Sequence, residues 1–200
     1  MANGGFTNVD NQTVRHPMAR SHRMPIPDTR YPTNLFNIQI MQKICLFPGT
    51  FDPITIGHLD IINRSLRLFD KLIIGIGRNA NKAPMFSEEQ RQLWIEEIYK
   101  DEPRVQVVVY DGLTVECCRS VDAHFILRGI RYVNDFEYEK AIADMNRSLD
   151  TRIETIFLTC LPQYTSVAST LVRDVIRNGG DASQFLPKPV IQSLAKVEHF

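Results

Sequence analysis

The sequence predicts an α/β domain: a Rossmann-like, doubly wound, five-stranded parallel sheet with helices on both faces. From Met41 onward, short apolar runs rich in β-branched residues alternate with helix-length stretches. Strands that are almost entirely apolar are typical of a parallel sheet covered on both faces, because both sides of each strand are then buried. Ligands of such sheets lie beyond the carboxyl ends of the strands, so we expect the binding and catalytic residues at those ends.

The elements follow in a regular order along the chain. Strands are predicted at KICLF (43–47), KLIIGIG (71–77), VQVVVY (105–110), AHFILRG (123–129) and IETIFLTC (153–160). A 3.6-residue apolar period predicts helices over 57–69, 87–100, 113–120, 135–149 and 168–178, with a short final helix after LPKP. Ser87 followed by Gln90 fits a capping box. The RNGG run at 177–180 indicates the end of a helix.

The composition is that of an ordinary globular chain. The 200 residues suffice for one domain with a sizeable core. A formal net charge of zero argues against a broad electrostatic attraction to nucleic acid or to anionic membrane. No apolar run approaches the roughly 20 residues of a membrane span. We therefore expect a cytoplasmic protein without nucleic-acid or membrane partners.

Residues 1–40 differ from the rest of the chain. They are rich in Asn, Arg, Pro and Thr and show no sustained apolar period. They lack the continuous apolar core of a secretory signal, while their arginines keep an organellar transit peptide as an alternative. We interpret them as a disordered extension, or as an artefact of cloning or of the start site. The globular domain is then a single one spanning 41–200.

The four cysteines are interpreted as unreactive thiols. None shows C-x-x-C spacing or a histidine at zinc-finger distance. Cys45 and Cys160 lie inside apolar strand runs, and Cys117 and Cys118 would point roughly 100° apart on a helix. Neither a metal site nor a disulfide is predicted.

The segment FPGTFDPITIGH (47–58) carries the strongest functional signal. Gly49 and Gly57 remove Cβ atoms where the backbone must approach a ligand closely. The run TIGH (55–58) opens a helix, so free N–H groups and the positive end of the helix dipole face the crevice. The segment predicts an anion site suited to nucleotide phosphates, with an imidazole attached. The plain alternative is a solvent-exposed His58 at the start of a helix.

This segment resembles the signature of the nucleotidyltransferases with a T/H-x-G-H motif, and closely that of bacterial phosphopantetheine adenylyltransferases. NKAPMFSEEQR (81–91), LRGIRYVNDFEYE (127–139) and YTSVASTLVRD (164–174) follow in the family's order and spacing. The resemblance covers about residues 41–197. It implies transfer of the adenylyl group of ATP to 4′-phosphopantetheine, giving dephospho-coenzyme A and pyrophosphate in coenzyme A biosynthesis. It also implies direct in-line attack without a covalent enzyme intermediate, Mg²⁺ with the ATP, and a homohexamer.

The resemblance also implies roles for individual residues. Such a transfer needs positioning and cationic donors more than a general base. The catalytic residues would be His58, Lys82 and Arg128. Phosphopantetheine would contact Thr50, Lys82, Thr114 and Arg128. ATP would contact Thr50, Phe51, His58, Gly129, Ile130, Arg131, Glu139, Tyr164, Thr165, Ser166, Val167, Ala168, Ser169 and Thr170.

Several of these residues have plainer interpretations. Thr50 could cap a turn, and Lys82 and Glu139 could be solvated charges. Hydroxyls at 166, 169 and 170 could be helix N-caps. Ala168 stands in VAST, where relatives often carry Ile-Ser-Ser, so one hydroxyl is missing while the backbone N–H groups remain.

Two other functions are left open. A sister nucleotidyltransferase would act on nicotinamide mononucleotide, or on an alcohol phosphate with CTP, but RGIRYVNDFEYE (128–139) favours the pantetheine branch. A nucleotide-binding module without turnover is disfavoured because Thr50, His58, Lys82 and Arg128 are all present.

Overall fold

The predicted strands form one parallel sheet in the computed structural model, which describes Met1 and residues 42–78 and 83–197. The strand order is β3-β2-β1-β4-β5, and each neighbouring pair is parallel. The strands are β1 (Ile44–Gly49), β2 (Lys71–Gly77), β3 (Val105–Tyr110), β4 (Phe125–Ile130) and β5 (Glu154–Thr159). The prediction of a five-stranded parallel sheet is confirmed.

Strand β1 is central because it is apolar on both faces. Leu46 of β1 lies opposite Ile73 of β2 and Ile126 of β4, and all three side chains are buried. The chain runs outward from β1 to β3 and then returns to the other side of β1 with β4. The strand order therefore reverses between β1 and β4, and a ligand crevice opens at such a reversal.

Each predicted helix is present, with small changes at the ends. The helices are α1 (Ile56–Ser65), α2 (Glu88–Ile98), α3 (Thr114–Ser120), α4 (Val133–Leu149), α5 (Ser169–Arg177) and α6 (Lys188–Val197). Helix α1 ends before the predicted residue 69, because the backbone N–H groups of Arg67 and Leu68 bond three residues back instead of four.

The predicted helix ends have the expected local chemistry. Ser87 precedes α2, and its hydroxyl oxygen accepts a hydrogen bond from the Gln90 N–H at 3.2 Å. After α5, Gly179 adopts φ +71°, a conformation that glycine reaches without steric cost. The Gly180 N–H then bonds back to the Val175 carbonyl at 2.9 Å. The helix end at 177–180 and the N-cap role of Ser87 are confirmed, but the Gln90 side chain does not make the return bond to Ser87 that would complete the predicted capping box.

Helices cover both faces of the sheet, as predicted. Phe47, Ile74 and Leu127 pack on one face, against residues of α1, α2, α5 and α6. On the other face, α3 buries Val115, Cys117 and Cys118. Helix α4 contacts β5 through the rings of Phe136 and Phe157, 5.5 Å apart, but none of its own residues is buried.

The four cysteines are free thiols, three of them buried. Burial raises the pKa of Cys45 far above its ordinary value and that of Cys118 to about 12. A thiol with so high a pKa is a poor nucleophile at neutral pH.

Two sequence predictions fall partly or wholly outside the described residues. Apart from Met1, the structure does not describe residues 1–40. The interpretation of this segment as an extension and the domain boundary at residue 41 therefore stay predictions. Across the described part of the chain, none of the helices has the length and apolar character needed to cross a membrane.

Candidate active site

Two cavities open at the carboxyl ends of the strands. The smaller, about 290 Å³, lies where β1 and β4 end. The larger, about 780 Å³, lies beside the ends of β2 and β3. Thr50, Ser169 and Thr170 line both cavities, so the β1–α1 turn and the start of α5 form a shared wall. The crevice predicted from the strand ends is therefore a pair of adjoining spaces.

Most of the predicted site residues come together around the smaller cavity. Those that line it are Thr50, Phe51, His58, Arg128, Gly129, Arg131, Tyr164, Val167, Ala168, Ser169 and Thr170. These residues come from three separate segments of the chain, 50–58, 128–131 and 164–170, so the fold itself assembles them.

The remaining predicted residues lie beside the cavities or outside the described residues. Ile130 is buried in the core. The Thr114 hydroxyl lies 3.2 Å from the Tyr110 hydroxyl, next to Gly112 in the wall of the larger cavity. Thr165 and Ser166 belong to the turn that leads into α5. Lys82 is not among the described residues, so its predicted contact with phosphate is untested.

His58 is held by the start of its own helix. It is the third residue of α1, and its Nδ1 accepts a hydrogen bond from the backbone N–H of Thr55 at 3.1 Å. The Thr55 hydroxyl lies 3.0 Å from the same nitrogen. Because Nδ1 is the acceptor, a neutral imidazole carries its proton on Nε2. The ring therefore offers one N–H donor to a ligand in the cavity that it lines.

The surroundings of His58 keep its ring neutral. Burial, together with the positive charges of Arg131 and Arg128, lowers the pKa of His58 to about 4. Its ring packs against Phe51, with centroids 5.2 Å apart, and Phe51 in turn packs edge-on against Phe47. The half-buried imidazole is thus a hydrogen-bond donor at neutral pH and carries no net charge. The alternative of a merely solvent-exposed histidine is wrong.

The lowered pKa of His58 predicts how stability depends on pH. As the pH falls from 6.5 towards 4, the unfolded chain takes up the proton first, so the folded state loses stability over that window. Above pH 6.5 this loss is absent. We expect urea unfolding at pH 7 and pH 5 to show a larger decrease for the wild type than for His58→Asn. Equal decreases in the two proteins would contradict the assignment.

Arg128 and Glu139 form a paired unit behind the smaller cavity. Arg128 Nε donates to Glu139 Oε2 at 2.6 Å, and Arg128 Nη2 contacts Glu139 Oε1. Arg128 Nη1 donates to the Pro48 carbonyl at 2.8 Å. These contacts use three of the five guanidinium N–H groups, which leaves two for a ligand in the cavity. Glu139 is 13% exposed, so the interpretation of a solvated helix acid is wrong.

The start of α5 presents backbone N–H groups to the shared wall. Its N-cap is Ala168, which has no side-chain oxygen to accept from them. The Ser169 hydroxyl instead donates to the Pro53 carbonyl at 2.9 Å. The interpretation of these hydroxyls as N-caps is therefore wrong. An uncapped helix start of this kind binds anions through its N–H groups and its dipole.

Several charged residues at the site were not named by the sequence reasoning, and Asp52, Arg91 and Arg173 are the most buried of them. All three line the larger cavity. A signal existed for Arg91, which shares one face of α2 with the buried Trp94 and Ile95 at spacings of three and four residues. A charged residue on an apolar helix face indicates a specific buried partner.

Known proteins are similar to this chain over its described domain. The family model for cytidylyltransferase-like proteins matches residues 46–175. Phosphopantetheine adenylyltransferases of Flavobacterium psychrophilum and Lachnoclostridium phytofermentans are 55% and 45% identical to it. The matches cover 72% and 75% of this chain and 95% and 92% of those proteins.

A solved structure from Vibrio parahaemolyticus, described as a nicotinate-nucleotide adenylyltransferase, has a TM-score of 0.60 and 21% identity. The match covers 78% of this chain and 93% of the chain in the solved structure. At that identity the likeness shows the fold alone.

Proposed function

This chain belongs to the cytidylyltransferase-like family and, within it, to the phosphopantetheine adenylyltransferases, and from that premise we propose how its site works. The reaction is transfer of the adenylyl group of ATP to 4′-phosphopantetheine, with dephospho-coenzyme A and pyrophosphate as products, in coenzyme A biosynthesis. The observation that carries the proposal is the shared wall of the two cavities. Two substrates held in adjoining spaces meet there, at the uncapped start of α5.

The transfer is a direct displacement. An oxygen of the phosphopantetheine phosphate attacks the α-phosphorus of ATP, the bond from that phosphorus to the bridging oxygen breaks, and pyrophosphate leaves with the bonding electrons. The attacking oxygen is already ionised, so no side chain has to remove a proton. The protein contributes positioning and stabilisation of negative charge.

The donors around the smaller cavity suit this charge. The Nε2–H of His58 and the remaining N–H groups of Arg128 stabilise the oxygens of the reacting phosphate. Thr50, in the shared wall, orients the attacking phosphate. The first turn of α5 holds the β- and γ-phosphates through its N–H groups. Lys82 is proposed as a mobile charge between the two substrates.

The remaining contacts of the proposal follow the cavities. Thr114 contacts phosphopantetheine beside the larger one. ATP is proposed to lie in the smaller one, against Phe51, Gly129, Arg131, Tyr164, Val167, Ala168, Ser169 and Thr170, which line it. The expected contacts of ATP with Ile130, Glu139, Thr165 and Ser166 have no such support, since these four residues do not line that cavity.

We further propose that Mg²⁺ enters with ATP and is bound by phosphate oxygens and water. Within the described residues, no group of three or more His, Cys, Asp or Glu side chains could enclose an ion. Mg²⁺ commonly keeps several waters and binds through substrate phosphates in such sites. The ion would supply neutralisation of phosphate charge.

The homohexamer and the cytoplasmic location are also proposals. Helix α4 exposes Tyr138, Met145 and Leu149, whose spacings of seven and four residues place them on one face, and so offers an apolar surface to further copies of the chain. Light scattering is expected to show six chains of 23.0 kDa. The free thiols fit a reducing compartment.

A panel of acceptors tests the proposed activity. Pyrophosphate release is measured from ATP with 4′-phosphopantetheine or nicotinamide mononucleotide, and from CTP with glycerol phosphate. We expect release with the first pair, and dephospho-coenzyme A as its product by mass spectrometry. Each reaction is repeated without the acceptor to measure hydrolysis of the nucleotide. Activity with only one of the other pairs would overturn the proposal.

A further inference from the structure

Asp52 is a buried carboxylate whose two oxygens both accept backbone hydrogen bonds. It is 5% exposed. Its Oδ2 accepts from the Met85 N–H at 2.9 Å, and its Oδ1 accepts from the Phe86 N–H at 3.0 Å. Through these bonds the β1–α1 turn is tied to the turn that precedes α2. A carboxylate with both oxygens used in this way is poorly placed to bind substrate itself.

Two arginines complete the connection from other elements. Arg91 of α2 donates to the Thr50 carbonyl at 2.5 Å and to the Phe86 carbonyl at 3.1 Å. Arg173 of α5 donates to the Asp52 carbonyl at 2.5 Å, and its Nη1 lies 3.7 Å from Asp52 Oδ2. We call Asp52, Arg91 and Arg173 the turn clamp. Its bonds converge on the backbone and carboxylate of residues 50–52.

The turn clamp acts on the wall where the substrates meet. Thr50 and the first residues of α5 line both cavities, and the clamp ties the turn carrying Thr50 to α5. A displacement of about 1 Å at such a site can cost about 100-fold in rate. We propose that Asp52 is a positioning residue, which sets the place of Thr50 relative to the start of α5. This inference rests on the proposed function.

A second buried aspartate provides a matched control. Asp150 is 8% exposed and accepts from Arg119 Nε and Arg152 Nη2, each at 2.8 Å, and from the Arg152 N–H at 3.1 Å. It precedes β5, at the amino-terminal end of the sheet. Asp52 and Asp150 thus share burial, backbone N–H donors and at least one nearby arginine, which is Arg173 for Asp52. Only Asp52 lines one of the two cavities.

The test compares Asp52→Asn with Asp150→Asn. Asparagine has one acceptor oxygen, so one of the Met85 and Phe86 N–H groups then faces an NH₂ donor, and the charge opposite Arg173 is lost. We expect kcat of Asp52→Asn to fall about 10- to 100-fold, with KM for ATP changed less than about threefold. Asp150→Asn should keep kcat near the wild-type value, whatever its stability. Assays are run below the melting transitions of both variants.

Fluorescence gives a readout next to the turn clamp. Trp94 is the sole tryptophan of the chain, and its ring lies 4.9 Å from that of Phe86. Loosening the Phe86 turn should admit water to Trp94, so we expect a red shift of its emission in Asp52→Asn and none in Asp150→Asn. If Asp52→Asn does not fold, the variant Arg91→Lys is tested in its place. A lysine ammonium cannot reproduce the bonds that the planar Arg91 guanidinium donates to both the Thr50 and the Phe86 carbonyls. The same loss of kcat is expected.

The outcomes separate this inference from the proposed function. An inactive wild type with 4′-phosphopantetheine would overturn the function, and with it the inference. With an active wild type, kcat values of Asp52→Asn and Asp150→Asn within about twofold of each other would overturn the inference alone. So would an effect of Asp52→Asn confined to KM for phosphopantetheine, since that would indicate direct contact.

Discussion

Replacing His58 by alanine is expected to lower kcat by a factor on the order of 10² to 10³, with a smaller effect on KM for ATP. The reason is the loss of the Nε2–H donor, which is aligned by the bond from the Thr55 N–H to Nδ1. Because the ring is neutral at pH 7, the loss reflects a directed hydrogen bond rather than a removed charge. Steady-state rates of pyrophosphate release at saturating substrates measure it.

Another histidine provides the control for this variant. His124 lies just before β4, at the opposite end of the sheet from the cavities, so His124→Ala should keep the wild-type kcat. Circular dichroism checks that both variants are folded, since His58→Ala also removes an acceptor from the start of α1. Near-normal turnover of folded His58→Ala would refute the catalytic role.

Replacing Arg128 by alanine is expected to reduce both activity and stability. Its guanidinium supplies donors to the smaller cavity and neutralises Glu139, whose side chain is 13% exposed. Removing one member of a buried pair leaves the other charge uncompensated, which costs about 3 kcal/mol or more in a buried setting. The pair here is partly exposed, so we expect about 2–3 kcal/mol from urea unfolding. The rate kcat/KM should fall by at least about 100-fold.

A double variant separates the two effects. In Arg128→Ala/Glu139→Gln the stranded carboxylate is gone, so much of the lost stability should return. Activity should not return, because the cationic donor is still absent. Recovery of activity together with stability would show that Arg128 only supports the fold.

The predictions from sequence succeeded where the signal is local. Strand runs and helix periods reflect burial of neighbouring residues, so their bounds were placed within a few residues. The loop 47–58 was identified because the full string FPGTFDPITIGH, placed between a strand and a helix, is far more specific than a lone glycine-histidine pair at a helix start. Its His58 lines the smaller cavity, as the motif predicted.

The same reasoning failed for polar groups whose partners are distant in the chain. Arg91 and Thr50 are 41 residues apart, and Arg173 and Asp52 are 121 apart. The local sequence pattern does not show to which backbone carbonyl a buried arginine will donate its hydrogen bonds. The position of Ser169 at the start of a helix suggested that its hydroxyl could be an N-cap. In the structure that hydroxyl donates to the Pro53 carbonyl, 116 residues away in the chain.

The sequence by itself therefore determined the parallel α/β architecture and singled out the loop 47–58, while the family resemblance implied most of the residues that line the smaller cavity. Periodicity and loop chemistry depend on adjacent residues, which the sequence displays directly. Only the tertiary structure decided which charges pair, as in Arg128 with Glu139 and in the turn clamp, and how His58 is kept neutral. Those properties depend on burial and on distances across the sheet, which arise only when separate segments pack together.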